Sequence, residues 1–325
     1  MRSAMYHRFG DPAEVLAAAD SPVPVPGPGQ VRVRMRLAPV HNHDLVTVRG
    51  QYGWKPDLPA IGGSEGFGVI DALGDGVEGL APGQRVTAAS VQGTWAEYFL
   101  APARMLVPVP DAIEDALAAQ LVAMPLSALM LLESLDARPG RWIVQNAANG
   151  AVGKTLAMLA AARGVHVLSL VRSRTGLAEM AAVDVDNVLS TADEGWRDEA
   201  RALLGKAGAH AAVDSVGGQA SAELAALLGE GGVLVSFGAM SGEPMAIPSG
   251  EVIFRQLTVK GFWGSKASRE MPGERKRALL GELLERAADG GLRLPVDAVY
   301  DLEQVAQAAA ASLRPGRGGK VLLRG

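Results

Sequence analysis

From residue 142 onward, short apolar runs alternate with helical stretches, and this alternation restricts the fold more than any other feature of the chain. The apolar runs lie at 142–146, 165–171, 187–189, 211–216, 233–237 and 257–262. Helical patterns occupy 152–163, 176–182, 196–204, 220–228 and 251–256. Strands covered on both faces read as continuous apolar runs, and the helices between them supply the crossovers that parallel strands need. The pattern predicts an α/β fold, a doubly wound parallel sheet with helices on both faces. The helix at 152–163 carries Val152, Leu156, Leu159 and Ala160 as a core-facing stripe and stops at Arg163-Gly164.

The first third has a different texture. Val31, Val33, Met35 and Leu37 alternate with Arg32, Arg34 and Arg36, the period of a half-buried strand. Residues 62–70 and 82–86 read as turns leading into short strands. Residues 116–132 are rich in Ala and Leu and read as helix, with an interruption expected near Pro125. Beyond Arg275, a helix at 277–289, a strand at 296–300 and a helix at 302–313 are expected.

A chain of 325 residues has room for two domains. Its formal net charge of −4 does not suggest a nucleic-acid surface. With no cysteine there is no disulfide, no thiolate nucleophile and no Cys-ligated zinc. Residues 1–8 carry no apolar signal core, and no run approaches the roughly 20 apolar residues of a membrane helix. A cytoplasmic protein that neither spans a membrane nor binds nucleic acid is the expectation.

The turn after the first apolar run carries chemistry. Ala148, Gly150 and Gly153 match the spacing G-x-G-x-x-G, with alanine in the first position. In a βαβ unit the second glycine lets backbone approach a pyrophosphate, the third lets helix and strand pack closely, and amides at the helix start hold phosphate oxygens. The second apolar run ends at Arg172-Ser173-Arg174. That strand end ordinarily carries an acid for the ribose 2′-hydroxyl. A carboxylate there repels a 2′-phosphate, whereas guanidinium groups bind one. The cofactor expected is therefore NADPH, and the chemistry expected is reduction.

These residues resemble the zinc-independent branch of the medium-chain dehydrogenase/reductase superfamily, and within it the 2-enoyl thioester reductases and quinone oxidoreductase-like proteins. The resemblance covers nearly the whole chain. It rests on segments 49–53, 58–66, 145–153, 171–174, 216–218, 237–240 and 261–263, and on Lys320. It implies a GroES-like catalytic domain from residues 1–112 and 275–325 around a Rossmann domain at 113–274, and a homodimer joined through the nucleotide domains. Carried over by position, Tyr52 matches the catalytic tyrosine, and Asn149, Gly150, Ala151 and Val152 the pyrophosphate loop. Arg172, Ser173 and Arg174 match the 2′-phosphate clamp. Phe237, Gly238, Ala239, Met240, Phe262, Trp263, Gly264 and Lys320 match further cofactor contacts, and Ser127 stands where the family often has Thr beside the nicotinamide.

The chain also departs from the family. Met124 stands where an Asn is common, and His41-Asn42-His43-Asp44 replaces the usual Asn-Pro-Ser-Asp. Zinc-dependent relatives place Cys, His and Cys near positions 41, 64 and 123, where this chain has His41, Ser64 and Ala123. His41, His43, Asp44 and Glu65 are therefore expected to hydrogen-bond to cofactor, substrate or one another, with no metal. The resemblance implies hydride transfer to the β-carbon of an enoyl thioester, with Tyr52 stabilising the enolate or protonating it. A phenol, with a reference pKa of about 10, is a proton donor at neutral pH. A quinone or enone reductase is the alternative, and an NADPH-binding sensor or structural protein the alternative of another class. His7, His166 and His210 are expected to be structural, and Arg269, Arg275, Lys276 and Arg277, interleaved with acids, a solvated face.

Overall fold

The computed structural model describes residues 1–325, which divide into two compact units: Met1–Ala123 with Glu282–Gly325, and Met124–Gly281. Both divisions fall later in the chain than the expected boundaries at 112/113 and 274/275.

The first unit is built on the strand Gln30–Pro39. It pairs antiparallel with Glu65–Leu73, with Tyr98–Pro102 and with Lys320–Arg324 from the far end of the chain. That last pairing brings the C-terminal strands into the same seven-stranded sheet as the first third of the chain, where Val296–Asp301 runs parallel to Lys320–Arg324. A smaller sheet sets Arg2–Tyr6 between Ala17–Asp20 and Ala60–Ile61. Val31, Val33 and Met35 are buried in the core as their alternation requires. Leu37 departs from that period: the register shifts between Met35 and Leu37, and Ala38 takes the inner face. One extra residue in a ladder reverses the facing of everything after it.

Gly62 and Gly63 fix the approach to the second long strand. A Cβ on either would lie 2.3–2.4 Å from atoms of the Trp95 ring or of Thr94, and Gly63 has φ +91. Trp95 is fully buried and its indole N–H donates to the Pro39 carbonyl at 3.1 Å. The glycine pair thus lies flat on the indole, and Ser64 and Glu65 follow at a set position.

The second unit holds a six-stranded parallel sheet: β1 Trp142–Gln145, β2 His166–Val171, β3 Val188–Ser190, β4 Ala209–Asp214, β5 Leu228–Ser236 and β6 Thr258–Gly261. The spatial order is 3-2-1-4-5-6, so the direction of winding reverses between β1 and β4. The expected strands and helices are all present, the helix Trp196–Leu204 at its expected bounds and the others with shifted ends. The largest shift is in β5, which starts at Leu228 rather than 233 because Leu228 already pairs with Ala209 across a register irregularity. Ile143 and Val144 are buried on opposite faces of β1, each aliphatic side chain stabilising the fold by about 1.5–3 kcal/mol.

The helix Ala151–Ala162 buries Leu156, Leu159 and Ala160, while Val152 is only half-buried. It closes as expected, with Gly164 at φ +69 and bonds from the Val165 N–H to the Ala160 carbonyl (2.9 Å) and from Gly164 to Ala161 (3.0 Å). Pro125 does not interrupt a helix. The break lies upstream, between the helices Asp115–Ala118 and Ala123–Ser134. Pro125 occupies the first turn of the second helix, where a missing N–H has no intrahelical partner to lose.

Candidate functional site

In the sheet unit, most residues singled out by sequence lie at carboxyl ends of the parallel strands. Asn149–Val152 follow β1, Arg172–Arg174 follow β2, Phe237–Met240 follow β5 and Phe262–Gly264 follow β6. Gly150 caps the helix Ala151–Ala162 without any side-chain cap bond, so the amides that begin the helix are left to a ligand or solvent. The strained conformation of this turn falls on Ala147 at φ +47, whereas Gly150 has φ −72. Gly150 is therefore not required by backbone conformation, and its missing side chain serves close approach instead. Gly153 is required by packing, since a Cβ there would lie 2.5 Å from the Ala148 carbonyl oxygen.

Polar side chains brace the strand ends and the turn. The Asn149 amide donates to Glu179 at 2.9 Å, and the buried Lys154 lies 3.9 Å from the same carboxylate oxygen. Asp214, fully buried at the end of β4, accepts from the Asn146 amide (2.7 Å), the Val216 and Gly217 N–H groups (2.9 and 3.0 Å) and the Ser221 hydroxyl (2.5 Å). Phe237 and Phe262 pack ring to ring with centroids 6.2 Å apart. A Cβ on Gly264 would lie 2.6 Å from the Ser127 hydroxyl, so those two expected cofactor residues are brought together. Met240 and Trp263 are exposed. Arg172 and Ser173 are exposed too, and the Arg174 side chain, 83% exposed, donates to Asp193 at 2.9 Å. Such an exposed pair is worth about 0–1 kcal/mol.

In the first unit, a second cluster surrounds the start of the helix Asn42–Val48. His41 Nε2 lies 2.7 Å from Glu65 Oε2, both side chains being buried. The other Glu65 oxygen accepts the Val122 and Ala123 N–H groups at 2.8 Å each, the first turn of the helix Ala123–Ser134. Burial pushes the Glu65 carboxyl up to about 7, against the opposing effect of those two N–H donors. Burial also holds His41 well below its ordinary 6.5, so its ring is neutral. Its Nδ1 is buried without a partner.

Asp44 accepts the His41 N–H at 3.0 Å on one oxygen and the Ser64 hydroxyl at 2.6 Å on the other. Ser64 Oγ lies 2.8 Å from His43 Nε2. His43 stacks on His41 at 5.0 Å and faces Tyr52 with ring centroids 5.9 Å apart. Tyr52 thus lies against His43. Burial, reinforced by the Arg317 charge, pulls the Lys320 ammonium down to about 8.

Glu65 bonds to His41 within its own cluster, one of the outcomes expected from sequence, whereas Asp214 and Glu179 were not singled out there. A lone acid inside an otherwise small and apolar run is their common signal, as in Gly176-Leu177-Ala178-Glu179-Met180 and Ala211-Ala212-Val213-Asp214. His166 stacks on Trp142 at 4.9 Å, and His210 Nε2 lies 3.1 Å from the Leu135 carbonyl. In the basic cluster, Arg275 pairs with Glu133.

Two family models match the chain: the alcohol dehydrogenase GroES-like domain over residues 27–111 and the zinc-binding dehydrogenase over residues 151–279. The human mitochondrial enoyl-[acyl-carrier-protein] reductase is 31% identical over 99% of this chain and 88% of its own. A mycobacterial quinone oxidoreductase superimposes with a TM-score of 0.87 at 27% identity, and a mycobacterial protein solved with NADPH with 0.89 at 27%, each over the full length of both chains. The zinc named in one family description finds no matching donor set. Catalytic zinc takes three protein ligands, and no group of three or more His, Asp or Glu is gathered to hold a metal. The His41–Glu65 pair is closed on itself by a direct hydrogen bond, with the remaining Glu65 oxygen taken by backbone. With likeness running the length of the chain, a GroES-like part and a sheet wound in 3-2-1-4-5-6 order, the protein belongs to the medium-chain dehydrogenase/reductase superfamily, alongside the enoyl-[acyl-carrier-protein] reductases.

Proposed function

We propose that the chain is an NADPH-dependent reductase of activated carbon–carbon double bonds, with trans-2-enoyl thioesters of CoA or acyl carrier protein as its substrate class. The observation that carries this reading is the likeness to an enoyl-[acyl-carrier-protein] reductase across 99% of the chain. The arginines at the end of β2 support the choice of NADPH. Arg172 is exposed, and Arg174 is held only by a surface carboxylate that a phosphate dianion displaces at little cost. The uncapped amides at residues 151 and 152 and the Gly153 packing suit a pyrophosphate. Ser127, Phe237, Gly238, Ala239, Met240, Phe262, Trp263, Gly264 and Lys320 complete the cofactor contacts in this reading.

The cofactor supplies a hydride, and the residues of the chain manage the charge that follows. As the β-carbon gains a hydride, negative charge gathers on the thioester oxygen and α-carbon. The Tyr52 phenol answers it as a hydrogen-bond donor and then as the acid that protonates the α-carbon. A quinone or enone substrate is the second reading, favoured by full-length superposition on a mycobacterial quinone oxidoreductase.

The reading further takes the protein to be a zinc-independent homodimer in the cytoplasm. Ile253, Phe254, Val259 and Trp263 are exposed on or next to the edge strand β6, an apolar border that a second copy would cover. The closed His41–Glu65 pair supports independence from zinc, and a cysteine-free chain suits a reducing compartment. No helix is long and apolar enough to cross a membrane.

The test is NADPH oxidation by the purified protein across 2-enoyl-CoAs of rising chain length, simple enones and quinones, with NADH as control. Turnover with enoyl thioesters, at a higher kcat/KM than with quinones, is expected. Tight NADPH binding with no turnover on any of these acceptors would overturn the reading in favour of a sensor or structural role.

A further inference from the structure

The cluster around Tyr52 contains a chain of hydrogen bonds whose direction can be deduced. The Ser64 hydroxyl has one proton, and it is given to Asp44 Oδ1 at 2.6 Å. Ser64 Oγ can then only accept from the imidazole nitrogen 2.8 Å away, so His43 Nε2 carries a hydrogen. The other Asp44 oxygen accepts the His41 N–H, which holds the carboxylate in place. His43 Nε2 is also only 3.5 Å from Asp44 Oδ1, so a positive charge on the ring is met by that carboxylate. The neighbouring ring, His41, is neutral and stacked, and adds no repulsion. Lys320 and Glu65 are the other charged groups whose fields reach this pair of rings. The His43 side chain is 28% exposed while Asp44 is buried, so the imidazole end of the chain meets solvent and the carboxylate end does not.

We propose that His43 is a proton-relay residue for Tyr52: Ser64 and Asp44 fix its hydrogen on Nε2, which leaves Nδ1 to take a proton from solvent and pass it to the phenol. The proposal rests on the reductase reading and assigns this chain's unusual histidine a part in it. As the substrate gains its hydride at the β-carbon, the electron pair of the double bond moves onto the thioester enolate. The Tyr52 O–H bond breaks and its proton forms the new C–H bond at the α-carbon, leaving a phenolate. The His43 Nδ1–H bond then breaks, the Tyr52 O–H bond re-forms, and water returns a proton to Nδ1. The two rings lie side by side with centroids 5.9 Å apart, and the relay requires the phenol oxygen and Nδ1 to meet directly or through one water. The relay acts through Tyr52 and does not touch the substrate.

Two measurements test it on the full-length chain. Nitrogen-15 NMR of the ligand-free protein reads the His43 tautomer, expected to be Nε2–H and to lose that bias in Ser64→Ala. His43→Gln keeps a donor for Ser64 but cannot carry a proton. Its kcat on an enoyl-CoA is expected to fall on the order of 10²-fold, with a larger solvent deuterium isotope effect and an NADPH Kd within about twofold of wild type. Melting temperature checks its fold, and Ser64→Ala, expected to lose about tenfold in kcat, supplies a second variant. An Nδ1–H tautomer, or an active wild type whose kcat and isotope effect survive His43→Gln, overturns the relay alone. A wild type that reduces no acceptor overturns the reductase reading and the relay with it.

Discussion

Glu65→Gln separates the electrostatic account of the buried His41–Glu65 pair from a purely geometric one. Glutamine keeps an oxygen for the Val122 and Ala123 N–H groups, both 2.8 Å from Glu65 Oε1, and an amide to meet His41 Nε2. What it removes is a titration. In the folded chain the Glu65 carboxyl is pushed from 4.5 to about 7, chiefly by burial. The folded value is the higher one, so the protonated form favours the fold. Its contribution is complete below about pH 4.5 and is lost as the pH climbs through about 7. The gap corresponds to about 3 kcal/mol of stability lost between acid and mildly alkaline conditions. His41 works in the opposite sense. It is held neutral, so the unfolded chain gains a proton below 6.5 that the folded chain does not, and stability falls there. That term is common to wild type and variant and drops out of the comparison. Urea unfolding at several pH values from 4.5 to 8 should show curves that meet at the acid end and separate by about 3 kcal/mol at pH 8, with Glu65→Gln the more stable. Parallel curves would refute the claim that Glu65 is a buried carboxyl titrating near neutrality.

Other outcomes follow from the same geometry. Tyr52→Phe should lower kcat on an enoyl thioester on the order of 10²–10³-fold, and an unchanged kcat would remove the phenol as donor. Arg172→Ala combined with Arg174→Ala should raise KM for NADPH roughly 10²–10⁴-fold and leave KM for NADH nearly unchanged, each of the two lost charged hydrogen bonds costing about 1.5–3 kcal/mol. Equal use of both cofactors by the wild type would contradict the 2′-phosphate assignment. Gly153→Ala forces a methyl to 2.5 Å from the Ala148 carbonyl oxygen. It should cost about 1–3 kcal/mol in thermal stability and weaken NADPH binding, whereas an unshifted melting temperature would show that the turn relaxes freely. Lys320, with its pKa pulled down to about 8, loses its charge as the pH rises through that value. NADPH Kd should rise over pH 7–9 in the wild type and stay flat in Lys320→Arg, and the same rise in both would discount Lys320 as a cofactor cation.

The legibility of the two halves differs for a physical reason. The parallel sheet was readable because its strands are covered on both faces and its helices on one, so the burial pattern is local in sequence. The glycine turn was readable in outline, yet the left-handed residue proved to be Ala147, outside the motif. The first unit was harder to read. Its central strand changes facing at Leu37 because of a register shift, which depends on the partner strand rather than on the alternation of Val31, Val33 and Met35. Pro125 read as a helix breaker because sequence marks the residue but not whether it falls in a first turn.

The amino-acid sequence by itself determined the alternation of strands and helices, the turn after β1 and the arginines that end β2, since each depends on neighbours within a few residues, whereas the order of the strands came from the fold. Tertiary structure alone decided what the polar residues between positions 41 and 65 do. His41 and Glu65 are 24 residues apart and meet at 2.7 Å, because the glycine pair lies flat on Trp95 and delivers Ser64 and Glu65 to the start of the helix Asn42–Val48. Burial then sets which of them is charged, and neither contact nor burial at that range is written in the spacing of a single chain. The arginines at the end of β2 show the same division: their presence is legible in sequence, but that Arg174 rests on Asp193 is a property of the fold.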